Sequence, residues 1–346
     1  QAIQNSIYGV DIEPGAIDIA KLRLWLSLVV DEEDFQNIKP LPNLNYKIVC
    51  GNSLLKVEKD LFNQELFRDL EALKDEYFNE TLKGKKSELS KKIDKAILDL
   101  KHNNKDAFDF EIFFSEVFHT NGGFDVIIGN PPYVSNKKIS QEKKDLYIEL
   151  YGISDDLYNY FFIKGVSLLK GKGVLAFITS DTYLTINSKK NLRILFQQNR
   201  IRELIKTSNI FENAMVSPAI LILQRENTIG EDYSFLYKNA IDDFNNPIVC
   251  KPNISLFRNV LNNVFFYPTD DNIIFYNKYN KIIKELYNKW WNKIETSKKI
   301  SKNARELEEY RKNLKPGEIT LLGCITDGGQ GLATANNGKY LAVRKS

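Results

Sequence analysis

The sequence is poor in the residues that metal and disulfide chemistry require. Its 346 residues hold three cysteines, Cys50, Cys250 and Cys324, far apart and without a CxxC pair. That excludes a disulfide framework and a cysteine-rich zinc module. Two histidines, His102 and His119, leave little from which to build a His-based metal site or a Ser-His-Asp triad, so no metal is expected. No apolar run nears the roughly 18–20 residues that span a bilayer. No signal-peptide pattern opens the sequence, and the compartment expected is reducing and cytoplasmic. No GxGxxG occurs. The net charge is only +3, so nothing global announces a polyanionic partner. What is present is ordinary for a soluble globular chain, with 43% hydrophobic and 27% charged residues. The length suits one large and one smaller domain, or two of medium size. Residue 1 is Gln and a strand-like run follows within a few residues, so the sequence reads as part of a longer polypeptide.

Short apolar runs alternate with helical patterns over the first two thirds. Ile7–Ile12 reads as a buried strand ending in an acid, and Ile17, Ala20, Leu24 and Leu28 then recur at helical spacing, which predicts an amphipathic helix over about 14–30. Tyr46–Cys50 and Phe124–Ile128 read as strands. Asp156–Lys170 reads as a helix closed by a Gly171-Lys172-Gly173 turn. Val174–Ile178 is a strand, Ser188–Asn199 a helix, and Ile201–Ile205 and Pro218–Leu223 two more strands. Strands alternating with helices predict an α/β fold with an open, mostly parallel sheet covered on both faces. Residues 56–107 interrupt it with twelve Lys/Arg and twelve Asp/Glu. Mixed signs with leucines at helical spacing suggest an inserted helical hairpin turning near Gly84, either a solvated insertion or an arm that touches DNA.

After about 226 the alternation stops. The stretch 227–275 is rich in Asn and aromatics, and 275–315 reads as helical and basic, with twelve Lys/Arg against five Asp/Glu around Trp290-Trp291. Basic charge interleaved with aromatics suits a nucleic-acid groove, or equally a solvated helix packed by its tryptophans. A new start follows Pro316-Gly317. The expected organisation is therefore 1–226 as one domain, 227–315 as a linker with a basic helical segment, and 316–346 as the opening of a further domain.

Asn130-Pro131-Pro132-Tyr133 is the strongest local signal. It directly follows a buried strand, at the carboxyl end, where open α/β sheets place their ligands. The two prolines fix φ and remove two backbone donors, so the Pro131 carbonyl can point outward rigidly. The Asn130 side chain offers a second acceptor beside it. Two fixed acceptors suit one NH₂ group. Held through both hydrogens, an aromatic amine is drawn towards tetrahedral geometry and its lone pair is freed for attack. Tyr133 supplies a flat face for stacking, worth about 1–3 kcal/mol per base. A base inside a duplex reaches such a site only by flipping out.

A nucleoside cofactor fits the earlier strand ends. Asp11 can bind both ribose hydroxyls, as acids do in nucleotide-binding α/β folds, although a strand-end Asp also caps helices. Ile12 can cover an adenine face, and Asn52 and Ser53 can hydrogen-bond the adenine edge. In order, and ahead of NPPY, these residues favour S-adenosyl-L-methionine.

At this point the residues resemble a known family. YGVDIEP, then CGNSLL, then FDVIIGNPPYV resembles the gamma arrangement of adenine-specific DNA methyltransferases, the TaqI-like methylases and type IIG restriction-modification enzymes. DLYNYFFIKGVSLLKGKGVLAFITSDTYL is similar to that family's segment after the catalytic loop, and NIFENAMVSPAILIL to its later motif. The tail GGQGLATANNGKYLAVR is similar to the start of a target-recognition domain. The resemblance implies a Rossmann-like methyltransferase fold carrying a helical insertion. Asp11 would bind the cofactor's ribose, Ile12 and Phe161 would line its adenine, and Asn52 would touch the adenine edge, where the family more often has Asp. Asn130 and the Pro131 carbonyl would hold the target amine, with Pro132 completing the turn. Tyr133 and Phe211 would sandwich the flipped adenine. The partner implied is double-stranded DNA, with a fused or upstream nuclease domain in type IIG enzymes. The family's glycine-rich cofactor loop, which precedes YGVDIEP there, is not among these 346 residues. Two other functions fit the same residues: a catalytically incomplete DNA-binding remnant, and a methyltransferase acting on an RNA or protein amine.

Overall fold

The computed structural model describes residues 6–30, 44–56, 64–80, 82–101, 108–208, 217–325 and 341–343. They fall into two units. The first comprises the described residues up to Ile127 together with Val134–Gly173, and the second Ile128–Tyr133 together with those from Val174 onward.

In the first unit β1 (Gly9–Asp11) and β2 (Ile48–Cys50) pair in parallel, Asp11 opposite Cys50. Helix α1 (Pro14–Val29) starts with Pro14 in its first turn, where the absent N–H costs nothing. Its Ile17, Ala20 and Leu24 pack with Leu44 and Ile48 against this pair. The predicted amphipathicity fails here. Ile19, Leu22 and Leu26 form a second apolar row and are 59%, 51% and 43% exposed. Their spacing of three and four puts them on one face, about opposite the packed one.

The insertion is the helical hairpin expected, α2 (Gln64–Asn79) and α3 (Lys83–Leu100), with Gly84 in the first turn of α3. It has its own core, in which Leu70, Tyr77, Leu89, Ile93, Ile97 and Leu100 meet Tyr46 and Ile112. Each such buried side chain contributes roughly 1.5–3 kcal/mol. A buried cation ties the hairpin down. Lys74 Nζ donates to the Phe113 carbonyl at 2.6 Å and meets Glu116 of α4 (Ser115–Asn121) at 3.2 Å. Below β1 and β2 lies an aromatic cluster of Phe108, Phe114 and Val49 with Tyr8 and Phe124 packed on it. Helices α5 (Gln141–Tyr151) and α6 (Leu157–Leu168) bury Leu54, Ile139, Tyr147 and Tyr160 between them and the loop after β2.

The six-stranded sheet has the order β3-β4-β6-β5-β7-β8. Its members are β3 (Phe124–Gly129), β4 (Leu169–Ser180), β5 (Arg200–Thr207), β6 (Pro218–Gln224), β7 (Leu236–Ala240) and β8 (Ile248–Cys250). A Cβ on Gly173 would fall 2.7 Å from the Phe124 carbonyl oxygen, and one on Gly129 would fall 3.0 Å from the Phe177 ring. Gly173 is therefore required by close approach and Gly129 sits tight against the ring, and β3 advances alongside β4 in the same direction. β6 runs antiparallel to β4 and β5, β7 is parallel to β5, and β8 is antiparallel to β7. Four strands thus point one way and two the other, the mostly parallel α/β sheet expected, with β6 and β8 reversed. Gly171-Lys172-Gly173 does not end the helix as a separate turn. It lies inside β4, where Lys172 takes φ +65°. Nor does the sheet stop at β6. The Asn-rich stretch supplies β7 and β8.

The second unit continues with α7 (Lys190–Gln198) and α8 (Ile254–Arg258), then α9 (Asp270–Thr296) and α10 (Ser301–Asn313). Arg193 of α7 is fully buried and donates to the carbonyls of Tyr183, Ile186 and Asn262. Trp290 is packed with Leu307, Leu321 and Cys324, so this tryptophan joins α9 to α10 and to β9 (Ile319–Leu321). β9 pairs with β10 (Leu341–Val343).

Candidate functional site

The Asn-Pro-Pro-Tyr motif leaves β3 at its carboxyl end, in the second unit. Asn130 is exposed, Pro131 buried, Pro132 exposed and Tyr133 half-buried. Among the described residues the Asn130 carboxamide makes no hydrogen bond and the Pro131 carbonyl accepts none. The two prolines fix φ at positions 131 and 132 and remove two backbone donors, and both acceptors are left available. The Tyr133 hydroxyl is buried without a partner among the described residues, and burial pushes its pKa up.

The same edge of the sheet gathers the ends of three other strands. Ser180 lies opposite Pro218, and Lys206 opposite Ala219. The Asp181 N–H donates to the Ser217 carbonyl at 2.9 Å, and the Thr207 hydroxyl donates to the Pro218 carbonyl at 3.0 Å. Asp181 also faces Lys206, with Nζ 3.7 Å from Oδ2. Burial pushes the Asp181 pKa up, while Lys206 opposes that shift. Phe211 lies outside the described residues.

The first unit brings the predicted cofactor residues together. Asp11 and Ile12 end β1, and Asn52 and Ser53 follow β2. The Gly51 N–H donates to the Asp11 carbonyl at 2.8 Å, so both strand ends share one edge. Asp11 does act locally, its Oδ1 accepting from the Glu13 N–H at 2.8 Å. Its Oδ2 has no partner among the described residues. Ile12 is 60% exposed. Asn52 Oδ1 accepts from the Leu54 N–H at 3.0 Å, and its amide lies beside the Tyr147 hydroxyl. Phe161, on α6, packs on the cluster of Leu54, Tyr147 and Tyr160. A free carboxylate oxygen, an exposed aliphatic side chain and a carboxamide at one strand edge, with Phe161 packed on the loop that follows, fit a nucleoside. The donor set therefore suits S-adenosyl-L-methionine.

Helix α6 is stitched to the residues that leave the motif. The Leu157 N–H donates to the Val134 carbonyl at 2.9 Å. The Asn136 N–H donates to Asp156 Oδ1 at 2.7 Å. On its other side the Lys164 ammonium donates to the Leu55 carbonyl at 3.2 Å. Sequence reasoning missed Asn159 in the first turn of this helix. It is 1% exposed, and neither its Nδ2 nor its Oδ1 has a partner among the described residues. Each unmet buried group costs about 1–3 kcal/mol. The signal was available: one carboxamide inside the run LYNYFFI. Asp181 was missed as well, although an acid closing the strand LAFITS is the same pattern that drew attention to Asp11. Among the described residues no group of three or more His, Cys, Asp and Glu could hold a metal ion.

Residues 5–211 match the family model of the Eco57I restriction-modification methylase. A Methanocaldococcus jannaschii protein described as a type II restriction enzyme and methyltransferase is 26% identical over 322 residues, covering 68% of this chain and 27% of its own. The type II methyltransferase M.BstVI of Geobacillus stearothermophilus is 36% identical over 112 residues, covering 30% of this chain and 20% of its own. This chain thus spans about a quarter or less of the curated relatives it matches. Among solved structures, a nuclease-deletion mutant of the type ISP restriction-modification enzyme LlaGI, bound to a DNA substrate mimic, matches with 17% identity and a TM-score of 0.42 over 78% of this chain and 25% of that one.

Proposed function

The chain belongs to the Eco57I restriction-modification methylase family, and from that premise we propose that it carries the methyl-transfer site of a sequence-specific DNA adenine-N6 methyltransferase. One observation carries the reading: the Asn130 carboxamide and the Pro131 carbonyl, neighbours at the carboxyl end of β3, are both acceptors without a partner among the described residues. Asn130 Oδ1 and the Pro131 oxygen accept the two N–H bonds of the target amine. That leaves its lone pair on nitrogen, directed away from the ring. Tyr133 and Phe211 stack on the two faces of the flipped base, and unstacking from the duplex costs a few kcal/mol that this contact offsets. Asp11 holds the cofactor's ribose hydroxyls, Ile12 and Phe161 its adenine faces, and Asn52 and Ser53 its edge. S-adenosyl-L-methionine supplies, when bound, an electrophilic methyl group on a sulfonium. The target nitrogen would take that methyl group, the cofactor would depart as its thioether, and the proton given up by the amine would pass to water, so that no residue of the chain would be alkylated. Orientation and a fixed field around the amine account for most of the acceleration.

In this reading residues 1–226 form the methyltransferase domain, 227–315 a linker and basic helical segment, and 316–346 the start of a target-recognition domain. A nuclease domain belongs to the polypeptide if the enzyme is of the type IIG kind. The test is methylation of duplex DNA with tritiated S-adenosyl-L-methionine, with modified sites mapped by long-read sequencing. Label at adenine within one short sequence is expected. Label on RNA, on protein glutamine, or nowhere with the protein folded would overturn the proposal in favour of another amine substrate or a DNA-binding remnant.

A further inference from the structure

A buried carboxamide with no partner among the described residues is an unstable choice for an apolar interior, since an apolar side chain of the same branched shape carries no polar group to leave unmet. Three polar groups of α6 and of the residues leading into it are paired. The Asp155 N–H donates to the Tyr160 hydroxyl at 2.8 Å, Asp156 accepts from Asn136, and Lys164 donates to Leu55. Asn159 is the exception, and its position is particular. It lies in the turn of α6 that is bonded to Val134 and Asn136, the first residues beyond Tyr133. Two residues further on, the same helix presents Phe161, and one turn beyond that it grips the loop carrying Asn52 through Lys164. One short helix therefore touches both the segment leaving the target-amine motif and the loop of the cofactor edge. An unpaired amide at that point is a donor and an acceptor in reserve.

We propose that Asn159 is a positioning residue for methyl transfer, its carboxamide becoming paired when cofactor and DNA draw the first turn of α6 and the Val134–Asn136 segment into their working arrangement. The inference rests on the methyltransferase reading above. It accounts for the retention of a destabilising side chain. The unmet bonds weaken the free chain, and they are formed only in the liganded one, so that binding energy is drawn into fixing the motif.

Asn159→Leu removes the amide while keeping the same branched arrangement of side-chain heavy atoms. The full chain and this variant are compared by thermal melting alone, with S-adenosyl-L-methionine, and with cofactor plus an adenine-containing duplex, and by steady-state methylation. The free variant should melt about 2–4 °C higher than the wild type. Its shift on adding cofactor and duplex should be smaller than the wild type's. Its kcat should fall about tenfold, the worth of one hydrogen bond, while KM for the cofactor stays within about twofold. Asn159→Gln, which restores an amide, should recover part of kcat. A variant that melts higher but keeps the wild-type ligand shift and kcat would overturn the proposal, leaving Asn159 as an idle buried amide. So would a variant that melts lower, since the amide would then be paired in the free chain. A wild type that shows no ligand shift and no methylation is the failure of the methyltransferase reading itself, and is distinguished by appearing without any mutation.

Discussion

Asn130→Ala isolates the chemistry from the fold. The side chain is exposed and makes no hydrogen bond to any described residue, so its loss should change stability by no more than about 0.5 kcal/mol. For a chain of this size that is a melting shift of under about 1 °C. The effect on rate is of another order. In the proposed mechanism the carboxamide oxygen is one of two acceptors on an amine whose N–H bonds become more polar as the nitrogen attacks, so its bond would be stronger in the transition state than in the ground state. A donor or acceptor of that kind supplies about 2.7–4 kcal/mol, roughly a hundredfold to a thousandfold in kcat. The loss should fall on kcat, with KM for DNA little altered. Single-turnover methyl transfer, with enzyme in excess over a labelled duplex, reads the chemical step directly, and a melt of the same sample controls for folding. Transfer within about threefold of the wild-type rate would refute the amine-holding geometry. A melt lowered by many degrees would refute the other half, for Asn130 would then be structural.

Other outcomes follow from particular contacts. Tyr133→Ala should weaken base stacking by about 1–3 kcal/mol and slow methylation. Tyr133→Phe should keep the stacking and melt no lower, because the hydroxyl it removes is buried and unpaired; 2-aminopurine fluorescence in the target position reads the stacking, and a slow or unstable Phe variant would contradict it. Lys74→Met strands the Glu116 carboxylate beside a buried partner and should cost about 3 kcal/mol in urea unfolding, whereas Lys74→Met with Glu116→Leu should recover most of it; equal losses in the single and double variants would refute the pairing. Burial pushes the Tyr276 hydroxyl up to about 12. The unfolded chain therefore releases this proton first, so the stability contribution is intact below about pH 10 and is lost as pH rises towards 12. Urea midpoints between pH 9 and 12 should fall, and Tyr276→Phe should make the fall shallower; an unchanged slope would contradict that assignment.

Much of the sheet was legible because its strands are short apolar runs closed by Gly, Pro or an acid, as in FDVIIGNPP and VLAFITSD. The motif and the cofactor edge were legible for the same reason: a strand end is a fixed place, and chemistry-bearing residues there stand out. β7 and β8 were not, because LYKNA and IVC carry too little pattern of their own and become strands only by pairing with β5 and with each other. Trp290 beside basic residues fitted a nucleic-acid groove or a helix packed by its tryptophans, and the packing with Leu307 and Leu321 favours the second. The clamp of Lys74 on Glu116 joins residues 42 apart, which no local pattern reveals. Asn159 lay in plain view as a polar letter in an apolar run. Its unpaired state is a property of three dimensions alone.

The second apolar row of α1 has a practical consequence. Ile19, Leu22 and Leu26 present adjoining hydrocarbon to water, on a chain whose net charge of +3 gives weak colloidal repulsion. The 346 residues taken by themselves are thus a sticky preparation, gaining most from low salt, dilution or mild detergent. Poor behaviour in concentrated solution would report on this helix, and would say nothing against the fold beneath it.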